Sequence, residues 1–343
     1  MSEPTALQTL SRSLCPWLRP ALEQLDVARA ARRLGHAWVV AGPRGVGKIN
    51  LALVFAQRLL GGSTLTGAPP ELGPQAFAAA MRGRHAATDH HPDLHWLHPE
   101  EEKRTIAIEQ VRAVGEALAL KAHGGAAKVV VIEPADGMTP GAVNALLKTL
   151  EEPAGDSYLL LVTHQAGRLP ATIVSRCQRV TIGLPRPAAL AAWLGLPDPA
   201  AAAALQALTG GSPLAAAEAM STPDESFDIN TLENRLIQIS QNKADPLAVA
   251  GEWLDLDYER LLGWLQRRLH VAIKARLAPN PSTVVTDPSA DGLHNAWAAL
   301  TLRTLFGQYE AAEKLLSQLE RGVNVELNLR ALLLGFQPDR GRS

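Results

Sequence analysis

The sequence is short of cysteine. Cys15 and Cys177 are the only two in 343 residues, which excludes a disulfide framework and any all-Cys zinc site and fits a reducing cytoplasm. Charge imbalance is missing too: 33 Lys and Arg face 34 Asp and Glu, for a net charge of −1. That balance gives no strong long-range pull toward nucleic acid, so any DNA contact has to be local or shared with partners. No window offers about 18 uninterrupted apolar residues, so no membrane span is expected. The first twenty residues, MSEPTALQTLSRSLCPWLRP, contain no long apolar run, and a signal peptide is not expected. Aromatic side chains are few, with seven Trp and five Phe, and they are expected to fill cores and subunit seams rather than stack on bases. No short internal repeat is visible.

What is present is an ordinary globular composition, 47% hydrophobic and 20% charged, with length for two or three domains. Helical periodicity marks 18–34, 49–60, 105–120 and 139–153, where Thr139 is placed to cap and Pro140 to open the first turn. Apolar strand-like runs occur at 37–41, 93–99, 127–136, 157–164 and 178–185. Strands alternating with helices imply βαβ units and an α/β fold around a parallel sheet, and unbroken runs such as 129–132 fit strands covered on both faces. Residues 61–92, rich in Gly, Pro and Ala, read as an irregular insertion. After Pro185 the pattern becomes helical: a small unit over 186–220 with a turn at 210–213, a polar linker at 221–228, and helices over 229–335. In 258–277, Leu261, Leu265, Leu269 and Ile273 recur every fourth residue, and 279–292 reads as a loop.

Residues 42–50, GPRGVGKIN, approach the phosphate-loop pattern G-x-x-x-x-G-K-[ST]. In such a loop, glycines let backbone N–H groups face phosphate, a helix N-terminus adds a favourable dipole, lysine reaches the terminal phosphates and a Ser/Thr hydroxyl ligates Mg²⁺. Gly42, Gly45, Gly47 and Lys48 keep the first three jobs, in a strand–loop–helix context. Ile49 cannot do the fourth, because an alkyl group does not coordinate a hard cation. Two readings stay open: a site for nucleotide, and an inherited loop shape that only caps a helix. The acidic strand end bears on the choice. A hydrolysing motor needs Asp-Glu there, one carboxylate for the metal and one to activate water. Here Glu133 and Pro134 hold those places, and proline has nothing with which to polarise water. Asp136 lies two residues beyond. Hydrolysis in cis is not expected.

Several stretches together carry a family resemblance: HPDLHWLHPE (91–100), TIAIEQVRAV (105–114), NALLKTLEEP (144–153), LPATIVSRCQRV (169–180) and, less specifically, GVNVELNLRALLL (322–334). They resemble the AAA+ subunits of bacterial DNA polymerase III clamp loaders, most nearly the delta prime branch, with the ATP-hydrolysing gamma/tau subunit as the alternative and a stand-alone P-loop enzyme as a remoter one. The resemblance implies a RecA-like AAA+ domain over 1–184 with a degenerate phosphate loop, a small helical lid over 185–224 and a helical collar over 225–343. It implies a cytoplasmic ring with gamma/tau and delta partners that loads a sliding clamp on primed DNA. It also implies a third loss, since a nucleotide-sensing arginine of the lid is replaced by Leu214 in Gly211-Ser212-Pro213-Leu214. Thr163 matches a phosphate-sensing position, although His164 departs from the polar residue that follows in the family.

By the same resemblance, Arg176 in Ser175-Arg176-Cys177 is an arginine finger acting in the neighbouring subunit's ATP site; otherwise it pairs with a surface carboxylate. Ser175 and Cys177 are expected to shape the turn. No cofactor is firmly implied, and weak, metal-poor ATP or ADP binding stays open. His85, His90, His91, His95 and His98 suggest zinc, and many members of the family carry a four-Cys module after the loop. Here no cysteine lies between 16 and 176, so no zinc is expected, and a collapsed or disordered loop is expected over 63–90. The basic stretch RRLHVAIKAR (267–276) is read as a solvated helix face.

Overall fold

The computed structural model describes residues 5–61, 67–84, 91–100, 103, 105–123, 127–209, 211–221, 229–277, 291–318 and 324–337. The chain forms two compact units, one of residues 1–202 and 211–221 and one of 203–210 and 222–343. No helix among the described residues is long and apolar enough to cross a membrane.

The first unit is built on five parallel strands: β1 (Ala37–Ala41), β2 (Leu94–Leu97), β3 (Lys128–Ile132), β4 (Ser157–Thr163) and β5 (Gln178–Thr181), in the order β2-β3-β4-β1-β5. β1 and β3 are buried along their whole length, as expected of strands covered on both faces. Their carboxyl ends lie side by side. Ala41 is in register with Thr163 and Thr181, and Ile132 with Leu161. Chain order reverses at β1, and in open parallel sheets the crevice beyond such a point is where ligands bind.

Helices α1 (Ala6–Arg12), α2 (Arg19–Ala30), α3 (Lys48–Leu60), α4 (Pro74–Gly83), α5 (Ile108–Ala119), α6 (Pro140–Glu151) and α7 (Ala171–Val174) pack on the sheet or on one another; α8 (Pro187–Leu194) and α10 (Pro213–Ser221) belong to the same unit, and α9 (Pro199–Leu208) begins in it. Thr139 caps α6, its Oγ1 accepting from the Ala142 N–H at 3.2 Å. Val111 and Leu118 of α5, and Leu146 and Leu150 of α6, close a core over Val39, Val130, Leu159 and Leu161 of the sheet.

The expected irregular insertion is largely ordered. Pro74 opens α4, which buries Phe77, Ala78, Ala80 and Met81, and the preceding chain bridges to Leu14 through Leu14 N–H to Pro70 C=O and Leu72 N–H to Leu14 C=O. The Gly and Pro around the helix obscured an apolar stripe three and four residues apart. The rest of the expected collapsed loop, residues 63–66 and 85–90, lies outside the described residues, as do His85, His90 and the linker 222–228.

The second unit is helical: α11 (Ile229–Ser240), α12 (Pro246–Glu252), α13 (Tyr258–Leu277), α14 (Asp291–Ala296), α15 (Leu302–Gln318) and α16 (Val325–Leu334). Leu261, Leu265, Leu269 and Ile273 are all in its core, with Trp253, Trp264 and Trp297, and Trp297 stacks on Phe336 at 5.1 Å. The basic stretch of α13 is not simply a solvated face. Arg268 is 5% exposed and ion-paired with the equally buried Glu233, because it stands one turn after Trp264 on the apolar side. The Arg276 guanidinium donates to the carbonyls of Trp297 and Leu300.

Candidate functional site

β1 runs into the glycine loop, which ends where α3 begins. Gly45 has φ +68 and Gly47, the residue before the helix, φ +91, both left-handed backbone that L side chains avoid. A Cβ on Gly45 would lie 1.8 Å from the Ser212 hydroxyl oxygen. The neighbouring Leu214 N–H donates to the Gly45 carbonyl at 3.1 Å, so the start of α10 sits directly on the loop.

Lys48 is buried and its ammonium donates to the carbonyl of Pro43 within the same loop. Burial lowers its pKa to about 8, against the opposing pull of Glu133 and Asp136. Ile49 is 2% exposed, an apolar anchor where a metal-ligating hydroxyl would be needed. Asn50 beside it was not singled out from sequence. Its Oδ1 accepts from the Cys15 N–H at 3.0 Å and its amide donates to the carbonyls of Leu10 and Ser13, each at 2.7 Å. The visible signal is one amide in the otherwise apolar stretch 49–56 of α3. Trp17 adds a second tie, donating from Nε1 to Val46 C=O at 2.9 Å while meeting Trp193 edge-on at 4.8 Å. The segment before β1 therefore buttresses the loop from behind.

At the end of β3, Glu133 is partly buried and its carboxyl pKa is pushed up by desolvation, with Arg84 and Lys48 pulling the other way. The Arg84 Nε lies 3.8 Å from Glu133 Oε2. Pro134 follows. Asp136 is engaged elsewhere, accepting the Thr163 hydroxyl at 2.6 Å. Burial lowers the His164 pKa to about 4, with Asp136 opposing and Lys48 and Arg44 adding to the shift, so its ring is neutral at pH 7. Lys48, Ile49, Glu133, Pro134, His164 and Leu214 line one cavity of about 830 Å³, together with Arg44, Arg84 and Lys103. The glycine conformations suit a phosphate cradle, but the donor set does not suit a metal-bound nucleotide. There is no hydroxyl at position 49, and the Glu133 carboxyl at the end of β3 faces the Arg84 guanidinium.

Arg176, Ser175 and Cys177 are not among the residues lining that cavity. Arg176, with its side chain 38% exposed, is ion-paired with Glu151 at 2.7 Å. It also donates to the Thr172 carbonyl at 3.0 Å and to the Ser175 hydroxyl at 3.4 Å. Ser175 in turn donates to Thr172 C=O at 3.2 Å. Cys177 is half-buried against the core, and burial raises its thiol pKa to about 11, which keeps it protonated and a poor nucleophile. Of the histidine run, His91 Nδ1 accepts from the Asp93 N–H at 3.1 Å and His98 contacts the Pro99 carbonyl at 2.9 Å.

A five-stranded parallel sheet with a glycine loop after β1, an acidic end on β3 and helical units after β5 defines a RecA-like AAA+ fold. The likeness extends to a solved gamma subunit-related DNA polymerase III protein from Thermotoga maritima, with TM-score 0.50 and 17% identity over 92% of this chain and 98% of that one. Residues 18–185 match the family described as DNA polymerase III, delta subunit, and 228–337 its C-terminal counterpart. DNA polymerase III subunit delta prime of Haemophilus influenzae is 30% identical over 321 residues, 92% of this chain and 95% of that protein. The chain belongs to the DNA polymerase III delta prime family. The delta prime subunit of Pseudomonas aeruginosa is 42% identical over 179 residues, 52% of either chain, so that match spans about half the relative's length.

Proposed function

We propose that this chain is a non-hydrolysing, stator-like subunit of a bacterial DNA polymerase III clamp loader, and that Arg176 acts as a trans arginine finger in the ATP site of a neighbouring motor subunit. The observation that carries the first half is the loop itself. Lys48 is turned onto Pro43, Ile49 is in the core and Leu214 is fastened to Gly45. In this reading Ile49, Pro134 and Leu214 stand where a hydrolysing site needs a metal ligand, a water-activating carboxylate and a lid arginine. The second half is supported by the exposed guanidinium of Arg176 in the Ser-Arg-Cys stretch, since arginine fingers stabilise charge on a transferring phosphoryl group and are worth about 10³–10⁵ in rate.

In this reading the partners are gamma/tau and delta subunits, with the sliding clamp and primed DNA met through the assembled cytoplasmic complex. Residues 1–184 serve as the AAA+ body, 185–224 as its lid and 225–343 as the collar. Weak ATP or ADP binding by Gly42, Gly45, Gly47 and Lys48 would be vestigial and metal-poor, and Thr163 would keep at most a structural role. The test is a titration of the purified chain with Mg-ATP in the presence of primed DNA. No turnover is expected; clear DNA-stimulated hydrolysis by the chain alone would favour the gamma/tau-like motor alternative.

A further inference from the structure

Glu151 is the last residue of α6 and stands at an unfavourable end for a carboxylate. Helix C-termini carry partial negative charge and favour cations. Lys148 already lies in the last turn of α6; the cation that meets the Glu151 carboxylate is Arg176, whose guanidinium reaches Glu151 Oε1 at 2.7 Å while its other terminal nitrogen is held by the Thr172 carbonyl and the Ser175 hydroxyl. The contact spans separate elements: Glu151 closes α6, and Arg176 follows the four-residue α7. A long side chain that would otherwise sample many rotamers is thus tied at two nitrogens to three acceptors, with part of its surface still open to solvent.

We propose that Glu151 is a positioning residue for Arg176: its carboxylate holds the guanidinium in the orientation from which it reaches a neighbour's terminal phosphate. The inference rests on the finger reading of Arg176. Glu151 acts through Arg176 and does not itself touch the nucleotide. Pre-set orientation spares the finger the ordering of a flexible side chain at the moment of reaction, and the effect is of the size an exposed ion pair can supply.

The experiment is single-turnover ATP hydrolysis by the complex reconstituted with its motor and delta subunits. Arg176→Ala identifies the phase that depends on the finger. Glu151→Ala is expected to slow that phase about two- to fivefold, with unchanged half-saturation by ATP, unchanged assembly and unchanged melting of the chain. Glu151→Gln, which keeps an acceptor of the same size, is expected to fall in between. A wild-type or faster phase in Glu151→Ala overturns the inference and leaves the finger standing. So does a loss that merely tracks the fraction of complex assembled. If Arg176→Ala removes no phase from an intact complex, the finger reading itself falls, and the role of Glu151 with it.

Discussion

The backbone amide of Leu214 donates to the carbonyl of Gly45 at 3.1 Å, fastening the start of α10 to the middle of the glycine loop. The contact needs a residue without Cβ at 45, both for φ +68 and because a Cβ there would meet Ser212 Oγ at 1.8 Å. Gly45→Ala is therefore expected to destabilise the first unit by about 1–3 kcal/mol. Urea unfolding followed by fluorescence measures it. An unchanged midpoint with an unchanged slope would show that the loop tolerates a side chain and that the fastening is loose.

Ile49→Thr supplies the hydroxyl that the phosphate-loop pattern lacks, but it places that hydroxyl in a core position that is 2% exposed. A buried, unpartnered hydroxyl costs about 1–3 kcal/mol. With Pro134 unchanged, the variant gains no carboxylate with which to activate water. The expected outcome is a lower unfolding midpoint and no ATP turnover by the purified variant; a gain of Mg-dependent hydrolysis would mean that one residue alone silences the site.

Asn50→Ala removes one acceptor and two donors from the Cys15 amide and the Leu10 and Ser13 carbonyls. Leaving buried backbone groups unpaired costs about 1–3 kcal/mol each in the worst case, and relaxation of α1 recovers part of it. A net loss of about 2–4 kcal/mol is expected by chemical denaturation, with faster hydrogen exchange at the Cys15 amide. Exchange as slow as in the parent protein would mean that Asn50 does not hold the segment.

The α/β class, the strand positions, the Thr139 cap and the α13 stripe were legible because each is a local pattern of period, cap or apolar run. The Asn50 tie was not, because its partners lie about 35 to 40 residues away in sequence and no local rule links them. Helix α4 was hidden by the Gly and Pro at its edges. Arg268 has the spelling of a solvated stripe, and only the packing of α13 puts it on the buried side with Trp264. The candidate site divides in the same way: the replacements at Ile49 and Pro134 are visible in the letters, whereas the return of Lys48 to Pro43 depends on three-dimensional closure.

His164 provides a pH signature. Its folded pKa is lowered from 6.5 to about 4, chiefly by burial, so between those values the unfolded chain binds the proton and the folded chain does not. Stability is expected to fall as pH drops through about 6 to 4 and to be indifferent to this group above about 7. NMR titration of the His164 ring should give a midpoint near 4. A midpoint near 6.5 would place the ring in solvent and remove it from the cavity wall.

The most direct measurement of the central claim is the single-turnover rate of ATP hydrolysis by the reconstituted loader containing Arg176→Ala in this chain. The account predicts intact assembly and loss of a hydrolysis phase, slowed by at least about 10²-fold against the 10³–10⁵ that arginine fingers supply elsewhere. An intact complex that hydrolyses ATP with every phase at its parent rate would contradict it.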